Sequence, residues 1–397
     1  MSETLVRRGR PVSGRTDRGV MKTDTPHVDL LRPPFLLRPP FEVGSPRLRH
    51  RAVCALAAIA AAAACLLVSP GANADNPSTR SPSSPATATY GWPVKPFDRQ
   101  HPVRGSFGDP RTLFHEPPTT RALMTSGGSF SFHQGVDISA PNGTAVYPVA
   151  SGVVSAVSHE WVSVDSGDGR AFQYWHIKPV VHVGQNVERD QTVLGSIVKP
   201  AMHVHLTELV DSHPVNPLQP GHLTPYSDTT APQIASIKLR ASESGAEAMP
   251  GFVRGEVELA AEAYDMPSMP VPGIWHDLPV TPALITWRIQ SWTGKVVVPE
   301  RVAHDVRVGE PGNGTFWSTY GRGTYQNMAV FGAHYSYLQR GCYLFRLTPS
   351  AFDTRELRDG VYDLVVTASD IRGNRGSPVR PRASRFTTGR AGSGRRG

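Results

Sequence analysis

Glycine and proline punctuate this chain so closely that long helices have little room to form. There are 37 of each in 397 residues. Between them lie short runs rich in β-branched residues, such as Thr144-Ala145-Val146-Tyr147-Pro148-Val149 and Gly152-Val153-Val154-Ser155-Ala156-Val157. Runs of this length and composition read as β-strands joined by tight turns. The length exceeds what one core usually supports, so two domains plus tails are expected, both mainly β.

The N-terminal part reads differently. From Ala52 to Val68 the chain is uncharged and apolar, preceded by Arg47, Arg49 and Arg51 and followed by Ser69-Pro70-Gly71 and Ala72-Asn73-Ala74. That order of basic flank, apolar core and small residues is the grammar of a signal peptide, with the cut expected before Asp75. An uncleaved anchor is the other reading, and both place the rest of the chain outside the cytoplasm. A membrane contact is therefore expected only through this segment. Residues 1–74 hold 11 Lys and Arg against 5 Asp and Glu, which is +6 of the total net charge of +8. The folded part is nearly neutral, which argues against a nucleic-acid partner. Two of the three cysteines, Cys54 and Cys65, lie in the leader. A processed chain keeps Cys342 alone, expected as a small buried hydrophobe, and can form no internal disulfide.

Residues 75–89 are rich in Ser, Pro and Thr and read as a linker. A first domain is expected over 90–226 and a second over 230–387. The second shows alternating runs such as Gly255 to Ala261 and Tyr362 to Ala368 and reads as an immunoglobulin-like β-sandwich. A disordered tail is expected over 388–397. Trp287 and Trp292 offer aromatics for wall-glycan binding through this second domain, with packing in a sandwich core as the commoner explanation for such tryptophans.

The chemistry concentrates in the first domain, at His133 and Asp137 in FHQGVDI, His176 in YWHI, and His203 and His205 in HVHL. The neighbours of the last pair favour a strand, so His203 and His205 at positions i and i+2 point to one face. Alone, such a pair is more often two ordinary histidines. Together with His133 and Asp137 it offers the imidazole nitrogens and carboxylate oxygen that a hydrolytic zinc needs, with a fourth position left for water.

In order along the chain stand Gly105-Ser106-Phe107-Gly108-Asp109-Pro110-Arg111, His133-Gln134-Gly135-Val136-Asp137, Gly143-Thr144-Ala145-Val146, Gly152-Val153-Val154, Tyr174-Trp175-His176, Val183-Gly184-Gln185-Asn186-Val187 and His203-Val204-His205. Over roughly residues 93 to 220 the chain thus resembles the lysostaphin-like zinc metallopeptidases, which cut peptide bonds in peptidoglycan. The resemblance implies a compact antiparallel β catalytic domain, His133, Asp137 and His205 as zinc ligands, and His176 and His203 as catalytic histidines. His203 is then the expected base and His176 the oxyanion donor or water orienter, roles the two could exchange. The expected function is a zinc metalloendopeptidase acting on peptidoglycan peptides. The alternative is a zinc-binding but weak or latent module that regulates other wall hydrolases.

The chain departs from the family pattern in three places. Gly195 to Met202 replaces a Gly, Ser and Thr-rich loop, Thr207 stands where the family often has Glu, and Thr112 to Phe132 is longer than usual. That last segment reads as a lid with a hinge at Ser126 to Phe130. Tyr174 and His115 are expected as a packed aromatic and a solvated loop residue, and His159, His182 and His213 as surface residues.

Overall fold

The computed structural model describes residues 89–115, 127–241, 253–327, 340–376 and 385–388. The expected leader and nearly all of the expected linker lie outside these residues. Among those described, no helix is long and apolar enough to cross a membrane. All of them belong to one compact unit that begins at Thr79, and the architecture is mainly β, as expected.

The first lobe is built on β1 (Val103–Gly105), β2 (Pro110–Phe114), β3 (Gly128–Phe132), β4 (Val136–Ser139), β5 (Ala145–Val146), β6 (Gly152–Val157), β7 (Trp161–Asp165), β8 (Arg170–Trp175), β9 (Ile177–Pro179), β10 (Asn186–Val187), β11 (Gly195–Ile197), β12 (His203–Val210) and β13 (His213–Val215). Its main antiparallel sheet runs β1-β4-β12-β8-β7-β6-β10, with β13 on β12. A small sheet, β5-β11-β9, lies beside it. Val136, Ile138, Val154, Val164, Phe172, Tyr174, Val204 and Leu206 are sealed in the core. Their alternation along the strands is what turns the polar partners outward.

The second lobe comprises β14 (Gln233–Ala241), β15 (Glu256–Tyr264), β16 (Leu284–Ser291), β17 (Val296–Asp305), β18 (Leu344–Arg346), β19 (Phe352–Asp353), β20 (Gly360–Ser369) and β21 (Arg385–Thr388). Two four-stranded sheets, β14-β15-β18 with β19 and β17-β16-β20-β21, share one apolar core. They form the expected sandwich. Trp287 is sealed in that core and Trp292 is exposed. Thr388, expected to begin a disordered tail, instead closes β21, and its hydroxyl donates to Arg358 O at 2.7 Å. Residues 389–397 lie outside those described. Cys342 is half-buried rather than buried, and loss of hydration raises its thiol to about 11.

The expected hinge at Ser126 to Phe130 is corrected by the strand pairing. Gly128 to Phe132 pairs in register with Pro110 to Phe114, and Phe132 is counted in the core of the second lobe. Phe130 packs on Phe316 and Trp317 at ring distances of 5.6 and 4.6 Å. One aromatic buried in a neighbouring core and a second packed against it anchor a segment instead of freeing it. The tip of the expected lid, residues 116–126, lies outside the described residues.

Hydrogen bonds reinforce the contact between lobes. Asp109 Oδ1 accepts from Thr281 N and Oγ1 at 2.9 and 2.7 Å. Tyr320 donates to Gly108 O, and Asn216 Nδ2 to Val306 O, at 2.7 and 2.8 Å. Gly108 has φ +86, and a Cβ there would stand 2.9 Å from the Val306 side chain. Glycine is required on both counts.

Asp228, Asp265 and Asp370 also converge at this junction, their ligand-type oxygens within 4.8 Å of one another. Burial, then the charge of Asp228, pushes the Asp265 carboxyl up to about 8. The folded state therefore holds a proton that the unfolded chain, with an ordinary carboxyl near about 4, has lost. Stability contributed at Asp265 falls as pH rises from about 4 to about 8. An Asp265→Asn variant should gain in melting temperature on the wild type across that window. Parallel melting curves at every pH would contradict this.

Candidate metal centre

Strand pairing assembles the site. In the β4–β12 register His205 stands opposite Asp137 and His203 opposite Ser139. The two histidines alternate with the buried Val204 and Leu206, so both rings leave the same face, as their spacing predicts. His133 enters from the turn before β4 and brings its ring within 4.6 Å of His205.

Three donor atoms meet at one point. His133 Nε2 lies 2.7 Å from His205 Nδ1, and Asp137 Oδ1 lies 3.1 Å from each. They form one of the two groups among the described residues able to hold a metal ion, the other being the junction carboxylates. Outer contacts orient this set. His133 Nδ1 donates to Ser106 O at 2.8 Å, which leaves Nε2 as a lone pair. His205 Nε2 bonds Thr207 Oγ1 at 2.8 Å, and donation to that hydroxyl leaves Nδ1 as a second lone pair. Two lone pairs and a carboxylate oxygen directed at each other repel unless a cation lies among them. The residues present thus fit a zinc-type ion, with two imidazoles and one carboxylate as ligands.

The Gly105 to Arg111 segment holds this set from below. Arg111 Nη2 donates to Asp137 Oδ2 at 2.9 Å. A Cβ at Gly105 would stand 2.5 Å from the same oxygen, so only glycine fits. Burial favours the neutral carboxyl, but His133, His203 and Arg111 hold Asp137 well below the usual carboxylate range. Asp109, bonded by Ser106 N and Thr281, is pushed up to about 6 by burial.

His176 and His203 flank the donors, with ring centres 4.5 Å apart, and His203 Nε2 is 3.3 Å from Asp137 Oδ1. Loss of hydration lowers both imidazoles, His176 to about 2, as it lowers His133 to about 3. All three are therefore neutral near pH 7. His176 stands at the break between β8 and β9 and has φ +64. A left-handed non-glycine residue is strained and persists where its surroundings fix it. The turn separates it from Tyr174, which is sealed in the core, its hydroxyl accepting from Val149 N at 2.8 Å.

Thr207 supplies the outer hydrogen bond that the sequence left open. Glu208 points to the opposite face, where Tyr90 donates to it at 2.5 Å and His222 bonds it at 2.8 Å. His222 was not singled out in the sequence, and nothing in its neighbourhood there signals the pairing. Arg104 was missed as well: its Nη2 lies 2.8 Å from His203 Nδ1. His115, His159, His182 and His213 are exposed and outside the metal group.

A compact antiparallel sheet here gathers two histidines and an aspartate around one point able to hold a metal ion, flanked by two more neutral imidazoles. Residues 131–217 match the family model described as Peptidase family M23. No curated protein matches the sequence. Among solved structures, the SpoIIQ–SpoIIIAH pore forming complex is similar at 21% identity, over 33% of this chain and 90% of that one, with a TM-score of 0.26. A zinc containing peptidase from Vibrio cholerae is 21% identical, over 33% of this chain and 39% of that one, at 0.25. The M23 metalloprotease pseudoalterin is 17% identical, over 39% and 84%, at 0.23.

Thr207→Val keeps the volume and removes the oxygen that orients His205. It should weaken zinc binding by roughly 10- to 100-fold, read by competition with a chromogenic chelator. Wild-type affinity in the variant would remove Thr207 from the site.

Proposed function

We propose that the chain is a zinc-dependent metalloendopeptidase that hydrolyses peptide bonds of bacterial peptidoglycan. The convergence of His133 Nε2, Asp137 Oδ1 and His205 Nδ1 within 3.1 Å of one another carries the reading. The M23 match supports a peptidase, and the resemblance of its ordered motifs to the lysostaphin-like enzymes supports the wall substrate. The leader read in the sequence supports export, to the wall or the medium.

Zinc held by His133, Asp137 and His205 would supply polarisation of the scissile carbonyl and a water acidified toward a pKa of about 7. The protein's own part is proton handling. His203 takes the water's proton at Nε2 while its Nδ1–H is given to Ala201 O, 2.8 Å away. Arg104, at 2.8 Å from the same Nδ1, disfavours the imidazolium, so the proton is passed on to the leaving amine. His176, beside His203, donates to the tetrahedral oxyanion. The weak or latent wall module remains the second reading, and the shorter Gly195 to Met202 loop favours it.

Purified full chain should hold about one zinc, as expected for one three-ligand site, and should release new peptide ends from peptidoglycan, identified by mass spectrometry. His176→Ala and His203→Ala should keep the zinc and lose roughly 100-fold or more in rate. Zinc without cleavage would favour the latent module, and absence of zinc would overturn the ligand set.

A further inference from the structure

Trp275 belongs to the second lobe, in the loop between β15 and β16, yet its indole lies under the guanidinium of Arg104, with Cζ 3.9 Å from the ring centre. Arg104 is almost fully buried. Among the described residues it has no carboxylate within ion-pair distance, and its Nε has no hydrogen-bond partner. Its specific contacts are the indole face and His203 Nδ1. A planar guanidinium with no acidic clamp is aimed by what it stacks on.

The loop is fixed at its feet. Asp265 and Val280 exchange backbone hydrogen bonds at 2.8 and 2.9 Å, and Thr281 is tied to Asp109. Val271, Leu278 and Val280 are buried along its length. At its crest stands Gly273, with φ +71, where a Cβ would lie 3.8 Å from the Met202 Cε. Met202 immediately precedes His203 and has φ +54. The loop thus reaches His203 through Arg104 and passes near the residue before it.

We infer that Trp275 is a positioning residue for His203, acting through Arg104, so that the second lobe completes the active site. The inference rests on the proposed hydrolytic function for its kinetic consequence, but not for its structural one. Arg104 closes the Nδ1 edge of His203, whose proton goes to Ala201 O. Without the indole beneath it the guanidinium drifts, and the His203 ring and its bond to Ala201 O lose the wall that holds them in place.

The test uses the full chain with zinc bound and compares Trp275→Ala, Trp275→Phe and, as a loop control, the exposed His276→Ala. Trp275→Ala should lower kcat by roughly 10- to 100-fold at nearly constant KM, the cost typical of a slightly misplaced catalytic group. Trp275→Phe should restore most of the rate, His276→Ala should match wild type, and zinc content should be unchanged in all three. Independently of cleavage, the imidazole 15N shifts of His203 at fixed pH should move in Trp275→Ala and return in Trp275→Phe. Wild-type kcat and unmoved shifts in Trp275→Ala would overturn the inference. So would equal losses in all three variants, or loss of zinc along with activity. If the wild type cuts no substrate, the hydrolytic reading fails, and the 15N shifts alone decide the role of Trp275.

Discussion

The pairing of β4 with β12 is the constraint on which the site depends. It sets His205 against Asp137 and puts two ligand side chains on one face of a sheet whose other face is sealed by Val204 and Leu206. A slip of one residue would turn both histidines into the core and bring valine and leucine to the surface. Burial of the apolar set thus fixes the register, and the register fixes the chemistry. The same strand fastens the sheet from behind, where Glu208 takes bonds from Tyr90 and His222.

The Gly105 to Arg111 segment joins this site to the rest of the molecule. Ser106 offers its carbonyl to His133 and its amide to Asp109, and Arg111 reaches Asp137. The segment's other side meets the second lobe at Gly108 and Asp109, and the next residue, Thr112, is bonded by Gln326. A stretch that the sequence offers only as a run of small and polar residues therefore has two jobs: orienting ligands and receiving a neighbouring domain. Its glycines are spatial requirements, one set by the Asp137 carboxylate and one by Val306.

Much of this was legible before any coordinates. The i, i+2 spacing of HVHL dictates a shared face once the segment is a strand, and the residue types of His133, Asp137 and one of the paired histidines offer a ligand set, with His205 singled out only by the family resemblance. The mainly β character follows from Gly and Pro spacing. His176 was identified, but its left-handed backbone was not, because the strain is imposed by packing around it rather than by YWHI. Ser126 to Phe130 reads as a hinge from its small residues. The sequence does not show that Phe130 and Phe132 are claimed by a core assembled some two hundred residues further on. Arg104 and Trp275 are invisible for the same reason, since each has its partner far along the chain.

Those two phenylalanines also bear on how such a chain could have been put together. A boundary drawn between residues 226 and 230 follows the sequence, yet the interior of the second lobe includes side chains that precede it. A gene fusion that exchanged the downstream lobe for another would leave Phe130 and Phe132 facing water and Gly108 without its neighbour. The two lobes are therefore one inherited object. Substitutions along their seam are expected to be selected together, as within one domain rather than between modules on a string.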